Sequence, residues 1–342
     1  MRSLFFDYVG GLKMKVNAKT KMKLKDKEVI ALFTKAGFPD VHSVSTMSEG
    51  MYNAIYCAKS GEKEYVVKVA PPAGTPVLTY EKNIMRTELF WYRKIAENTD
   101  INLPKIYYED FTHTLIPADY FVMERVKGCT LDELEMSKEE KEQALRDKAQ
   151  MVSQIHQISS SEFGYIQNEL YDNWYIALKS MIENLIYDKG AVGKQSKNGE
   201  KLLGYVERYK DILMGVKSSM VNFDVWDKNI ISSRSGDKIK HTWIDPERSF
   251  WGDWVFDFIC LEMMQPLKKK AMSIDAYNAV SSNHINLTRE YAIRFALSQG
   301  LMAIIMEVEK YYRYSPMTKA WWVSVAASKM FFGAAKKVLE KG

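Results

Sequence analysis

Two short stretches of the chain hold residue types that can act on phosphates. VNFDVWDKNII, residues 221–231, sets Asp224 five positions before Asn229. HTWIDPERSFWGDWVFD, residues 241–257, sets Asp245 after an apolar pair and Asp257 twelve positions further on. Phosphoryl transfer asks little covalent chemistry of a protein. It needs a carboxylate to orient the acceptor hydroxyl, oxygen ligands for a divalent ion bridging the phosphates, and a cation on the phosphates. Asp224 offers the first, and Asn229 and Asp245 the second. Lys68, in the strand-like run EYVVKVA, offers the third. A lysine inside an apolar run needs a partner. Glu88 is the leading candidate, and Glu81, seven residues earlier, competes with it. Each residue also has a plainer reading. Asp224 can cap a loop, Asn229 can make an Asx-turn, and Lys68 can line a sheet edge. A lone D-x-x-x-x-N is weak, but the whole set in this order is far more specific.

The elements that must position these residues change character near Val126–Thr130. Before that point the pattern is mostly strand: Val41–Ser48, Tyr52–Ala58, Glu64–Ala70, then Lys105–Phe111 and Tyr120–Val126. Asp26–Ala36 reads as a short amphipathic helix, with Val29, Leu32 and Phe33 on one face. Leu78–Glu97 reads as a second helix, inserted after the third strand. Beyond Gly128 the chain is mainly helical, over Ser137–Ile158, Leu170–Asp188, Lys201–Val216 and from Val255 onward. Asp224 falls on a loop between a helix and a short strand, and Asp257 at a helix start. The expected fold is α+β: a basic extension over 1–25, a small antiparallel-sheet lobe over 26–126 and a larger helical lobe over 127–342. A ligand cleft is expected between the lobes.

Composition narrows the class. The 342 residues are 46% apolar and 27% charged, with a net charge of only +5, which excludes disorder over most of the chain. No run of about 18 apolar residues exists, so a polytopic membrane protein is excluded. The first 25 residues hold seven basic side chains against Asp7, so the rest is close to neutral. That distribution gives no basic groove, and no nucleic-acid or membrane partner is expected. Three scattered cysteines, with no C-x-x-C, suit a reducing, cytoplasmic setting. A P-loop is absent.

The motifs resemble those of the aminoglycoside phosphotransferase family, whose relatives include choline, homoserine and fructosamine kinases. The resemblance spans about residues 40–340. That family's catalytic loop reads H-G-D-x-x-x-x-N, and Asn222-Phe223-Asp224 through Asn229 is similar to it. Its metal motif, I-D-W or I-D-P followed by a second Asp about a dozen residues later, is similar to Ile244-Asp245 through Asp257. Gln154-Ile155-His156 is similar to the family's Leu-His pair. The resemblance implies a protein-kinase-like, two-lobed fold and dependence on ATP and Mg²⁺. It implies Asp224 as catalytic base, Asn229 and Asp245 as metal ligands, and Asp257 as a structural brace, with His156 also structural. It implies Lys68 and Glu88 on the nucleotide side, and backbone groups of Glu124 and Val126 against the adenine. Ser48 and Gly50, in the turn SEGMYN, would cover the phosphates. Two departures stand out: Asn222 and Phe223 replace the family's His and Gly, and the phosphate turn holds a single glycine.

The acceptor is expected to be a hydroxyl of an aminoglycoside or related amino sugar, amino alcohol or sugar. Aromatic residues are dense in the second half, including Trp226, Trp243, Trp251, Trp254 and Trp322, and most suit a core better than a site. Residues 246–342 carry 13 basic and 9 acidic side chains, which offers a polycation no broad acidic field. A nucleotide-binding pseudokinase is the competing reading, motivated by Asn222, Phe223 and the poor phosphate turn. A protein Ser/Thr kinase stands behind it, because no A-P-E-like docking segment is present.

Overall fold

Tyr65, Val67 and Val69 alternate with Val66 and Lys68 along one strand, and that alternation organises the first sheet. The computed structural model describes residues 18–47, 52–236, 238–263 and 265–341. Five strands pair antiparallel in the order β1-β2-β3-β5-β4: β1 (His42–Met47), β2 (Ala54–Ser60), β3 (Lys63–Val69), β4 (Ile106–Asp110) and β5 (Tyr120–Glu124). Helix α1 (Asp26–Lys35) lays Val29, Leu32 and Phe33 on one face of this sheet, against Tyr56, Val67, Val69 and Val122. All three helix residues are fully buried, and each contributes about 1.5–3 kcal/mol of burial. Lys68 pairs across to Ile55 and Phe121 and takes the opposite face, away from α1. There it is 3% exposed.

The chain divides into two compact units. The first comprises the described residues as far as Val77, with Leu103–Gly128 and Glu309–Val323. The second comprises Leu78–Asn102, Cys129–Val308 and the described residues from Ser324. Leu78–Asn102 therefore groups with the second unit rather than with the sheet. The periodicity predicts one helix over Leu78–Glu97, but the chain makes a 3₁₀ turn at Thr79–Glu81 and begins α2 (Ile84–Asn98) later. Asn83 causes the break. It adopts a left-handed φ of 59°, which an asparagine tolerates better than most residues. Glu81 thus lies outside α2, where its carboxylate accepts the Leu78 N–H at 3.0 Å.

The second unit contains α3 (Lys138–Ile155), α4 (Trp174–Ala191), α5 (Lys197–Arg208), α6 (Lys210–Met214) and α7 (Ala271–Asn278). Two longer helices follow, α8 (Arg289–Arg313) and α9 (Lys319–Leu339), and their meeting ends belong to the first unit. By length and composition α8 could cross a membrane, but 83% of its apolar stretch is buried inside the protein, as in a core helix. Two small sheets complete the unit. β7 (Ser219–Val221) pairs with β10 (Phe250–Gly252), and β6 (Cys129–Thr130), β8 (Ile230–Ser235) and β9 (Lys238–Trp243) form the other. A strand, not a helix, therefore precedes the Asp224 loop. Trp243, Trp251 and Trp254 are buried, in keeping with a core role, whereas Trp322 is exposed.

Asp110 ties the first unit together. Its carboxylate meets the Lys35 ammonium at 2.7 Å, the Thr112 hydroxyl at 2.6 Å and amide at 2.8 Å, and the Tyr120 hydroxyl at 3.1 Å. Burial pushes its pKa up, but Lys35, Thr112 and Tyr120 outweigh burial and hold it well below the usual carboxylate range. A depressed folded pKa means stability fully present above the unfolded value near 3.9 and lost as pH falls towards the folded one. Asp110→Asn is expected to cost about 1–3 kcal/mol at pH 7. The loss should shrink below about pH 4, read by denaturant unfolding of both proteins across that range.

Candidate active site

Two strand pairings force the motif loops together. Val221 pairs with Phe250 at one end, and Ile230 pairs with Trp243 at the other. The loop 222–229 and the loop 244–249 are bracketed by these ladders and run side by side. The Ile244 N–H donates to the Asn229 carbonyl at 2.9 Å, and the Asn222 amide donates to the Ser249 hydroxyl at 3.1 Å. Asp224 and Asp245 therefore share one region of the second unit, although 21 positions separate them in the chain.

Asp224 is half-buried, with 27% of its side chain exposed. Its backbone N–H donates to the Asn222 side-chain oxygen at 3.0 Å, an Asx-type brace. Asn229 donates its Nδ2 to the Asp224 carbonyl at 3.0 Å and to Oδ2 at 3.2 Å. Asn229 therefore spends its amide nitrogen on Asp224, and its amide oxygen is the atom it has to offer a cation. The Arg248 Nε lies 3.7 Å from Asp224 Oδ2.

Asp257 sits in the 3₁₀ turn Trp254–Ile259 and is fully buried. Its Oδ2 accepts the Asn222 N–H at 3.0 Å, and its Oδ1 accepts the Phe223 N–H at 2.5 Å. His156 Nε2 lies 3.0 Å from Oδ2, and His156 Nδ1 lies 2.8 Å from the Tyr277 hydroxyl.

Asp245 takes a left-handed φ of 66° before Pro246, and its N–H donates to the Tyr92 hydroxyl at 2.9 Å. Tyr92 and Glu88 lie one turn apart on α2, so both face this loop. One carboxylate oxygen from each of Glu88, Asp245 and Glu247 lies within 4.8 Å of the others. Glu88 and Glu247 are buried and Asp245 is half-buried. Glu247 and Arg248 escaped the motif reading although they stand in the quoted segment. The sequence carries no signal for them: a residue before proline ordinarily prefers extended backbone, and the left-handed turn at Asp245 is seen only in the fold.

Lys68, Glu124 and Val126 belong to the first unit. Lys68 is buried on β3, Glu124 ends β5 and is exposed, and Val126 follows half-buried. The Glu124 N–H already donates to the Lys105 carbonyl at 2.8 Å, so Glu124 would have only its carbonyl to offer a base. Ser48 and Gly50 lie outside the described residues.

Phe223 occupies the position where the family motif has glycine, and the geometry shows why glycine suits it. Its φ is 62°, a left-handed conformation that costs a side-chain-bearing residue about 1–2 kcal/mol. The ring is fully buried, with Phe250 and Phe256 at centroid distances of 5.8 and 5.9 Å. Burial outweighs the strain, because emptying such a site costs about 3–5 kcal/mol. Phe223→Gly is therefore expected to lose about 2 kcal/mol net. Phe223→Ala, which leaves the strain in place, should be about 1 kcal/mol worse than the glycine variant. Equilibrium urea unfolding of the two variants checks this reversal of the usual order.

Residues 43–279 match the model of the APH phosphotransferase enzyme family. No sequence match reaches significance among curated proteins. Among solved structures, a Haemophilus somnus 129PT protein provisionally assigned as a fructosamine-3-kinase superposes with a TM-score of 0.64 at 15% identity, covering 89% of this chain and 97% of that one. A Ralstonia eutropha JMP134 protein provisionally assigned as an aminoglycoside phosphotransferase gives 0.62 at 16% identity, covering 92% and 99%. A thermostable mutant of aminoglycoside phosphotransferase APH(4)-Ia, complexed with ADP and hygromycin B, gives 0.61 at 14% identity, covering 92% and 99%. At these identities the superpositions establish the shared kinase-like α+β fold. With the family match spanning more than two thirds of its length, this chain belongs to the phosphotransferase enzyme family.

Proposed function

We propose that this phosphotransferase moves the γ-phosphoryl group of ATP, with Mg²⁺, to a hydroxyl of a small molecule of the amino sugar, amino alcohol or sugar class. The strongest support is one half-exposed carboxylate, Asp224, on a loop running beside a second loop rich in carboxylates. Relatives of the same fold have been seen with ADP and hygromycin B, and with ATP and streptomycin.

In this reading Asp224 accepts a hydrogen bond from the acceptor hydroxyl while Asn229 holds its Oδ2. The hydroxyl oxygen bonds to the γ-phosphorus, ADP leaves, and the hydroxyl proton passes to Asp224. Glu88, Asp245 and Glu247, with the Asn229 amide oxygen, fit a hard cation. They offer only oxygen donors, and close carboxylates repel one another until a cation arrives. Bound there, Mg²⁺ supplies charge neutralisation on the phosphate oxygens. Lys68 takes the α- and β-phosphates, and the Glu124 carbonyl and Val126 amide hold the adenine. In this reading the sheet of the first unit carries the nucleotide side, and the second unit, which includes Leu78–Asn102, carries the cation ligands and the acceptor side. Arg248 beside Asp224 favours an acceptor with few positive charges. No nucleic acid takes part, and a cytoplasmic setting suits the three free cysteines, Cys57, Cys129 and Cys260.

ADP release with Mg²⁺-ATP across a panel of aminoglycosides, amino alcohols and sugars tests the reading. Acceptor-dependent turnover is expected, falling about 100-fold or more in Asp224→Asn. A variant that keeps over about a tenth of wild-type turnover removes Asp224 from the role of base. Tight ATP binding with no turnover on any acceptor would identify a binding module instead.

The metal ligands can be separated by titrating Mg²⁺. Asp245→Asn should abolish turnover at every concentration. Glu247→Gln should raise the half-saturating Mg²⁺ concentration about tenfold or more while retaining measurable turnover at saturation.

A further inference from the structure

Arg294, on α8, is buried with its guanidinium fork closed on Asp253. Its Nε donates to Asp253 Oδ2 at 2.8 Å and its Nη2 to Oδ1 at 2.6 Å. Asp253 is fully buried, and Arg294 is 6% exposed. Asp253 Oδ1 also accepts the Val255 N–H at 3.0 Å, so the same carboxylate caps the 3₁₀ turn that carries Asp257. The guanidinium plane lies 5.4 Å from the Trp254 ring and 4.9 Å from the Tyr291 ring. Trp254 in turn stacks on Tyr277, whose hydroxyl meets His156, and His156 meets Asp257.

Two physical routes therefore run from Arg294 to the carboxylate that holds the Asp224 loop. One goes through the cap at the start of the turn. The other goes through the ring stack and the histidine. A buried ion pair is poor evidence of stabilisation, since apolar residues of equal volume often serve as well. What apolar residues cannot supply is direction. A two-point fork fixes the plane of the Asp253 carboxylate, and with it the start of a turn whose later residue must reach two successive N–H groups.

We infer that Arg294 is a positioning residue for phosphoryl transfer: it sets the turn 254–259 so that Asp257 holds the Asn222 and Phe223 amides and keeps Asp224 in register. The inference rests on the proposed function for its catalytic consequence, while its structural claim stands on the contacts alone.

Amide hydrogen exchange and steady-state kinetics on the full chain test it together, using Arg294→Met, Arg294→Lys and the double variant Asp253→Asn with Arg294→Met. Arg294→Met should speed exchange of a peptide covering residues 220–226 by about tenfold or more, with β2 and β3 unchanged. Turnover should fall at least about tenfold while the KM for ATP stays within about threefold. Arg294→Lys should recover part of both. The double variant leaves no unpaired buried charge, and asparagine can still cap the turn. It should regain thermal stability yet keep the fast exchange, and it replaces Arg294→Met if that variant fails to fold. Unchanged loop exchange in a folded variant, or full return of slow exchange in the double variant, overturns the inference. If the wild type transfers no phosphoryl group to any acceptor, the proposed function fails, and the exchange measurements still decide the role of Arg294.

Discussion

A carboxylate sealed from water must find its hydrogen bonds inside the protein, or folding loses several kcal/mol. Asp257 finds them on the backbone of the loop that carries Asp224. Two N–H groups and one imidazole converge on it. The loop cannot relax without stranding that charge, and the charge cannot move without releasing the loop. The rest of the second unit reads as support for this bond. The paired strands bring the loop to the turn, the histidine adds a third contact on Oδ2, and the aromatic stack packs beside it. Because such bonds are charge-assisted, they are stronger than ordinary backbone pairings.

The Asp224 loop also shows how one chain can depart from a motif and keep its geometry. Asn222 stands where relatives have histidine, yet it braces Asp224 through an Asx-type hydrogen bond and reaches Ser249 across to the neighbouring loop. Phe223 stands where relatives have glycine, and its ring joins a buried aromatic cluster that outweighs the left-handed backbone. Neither replacement leaves a hole. The departures that make the motif look degraded are compensated within a few residues.

Much of this was legible in the residues. Type and spacing singled out Asp224, Asn229, Asp245 and Asp257, whose loops the strand pairings bring together, and the apolar run EYVVKVA marked Lys68 as a lysine that the strand buries. Less was legible where tertiary context overrides local pattern. The helix expected from Leu78 breaks at Asn83, because one residue in the left-handed region outweighs a continuous apolar stripe. Glu247 and Arg248 gave no periodic signal, since a short turn has no period. Their approach to Asp245 and Asp224 depends on strand pairings between segments far apart in sequence. The Glu124 amide, committed to Lys105, has no signature in the sequence, because a backbone donor looks the same at every residue.

The first unit is assembled from three separate stretches of chain, the last of them Glu309–Val323. Arg313 accepts the Lys19 N–H on its carbonyl and lays its guanidinium 5.2 Å from the Tyr52 ring. The earliest described residues thus wait for some of the latest. On the ribosome the sheet can form, but its partners in Glu309–Val323 emerge only after Cys129–Val308 of the second unit has been made. Long sequence separations of this kind slow folding and leave the nascent chain dependent on protection. Closing the first unit therefore has to follow, and not precede, synthesis of most of the second.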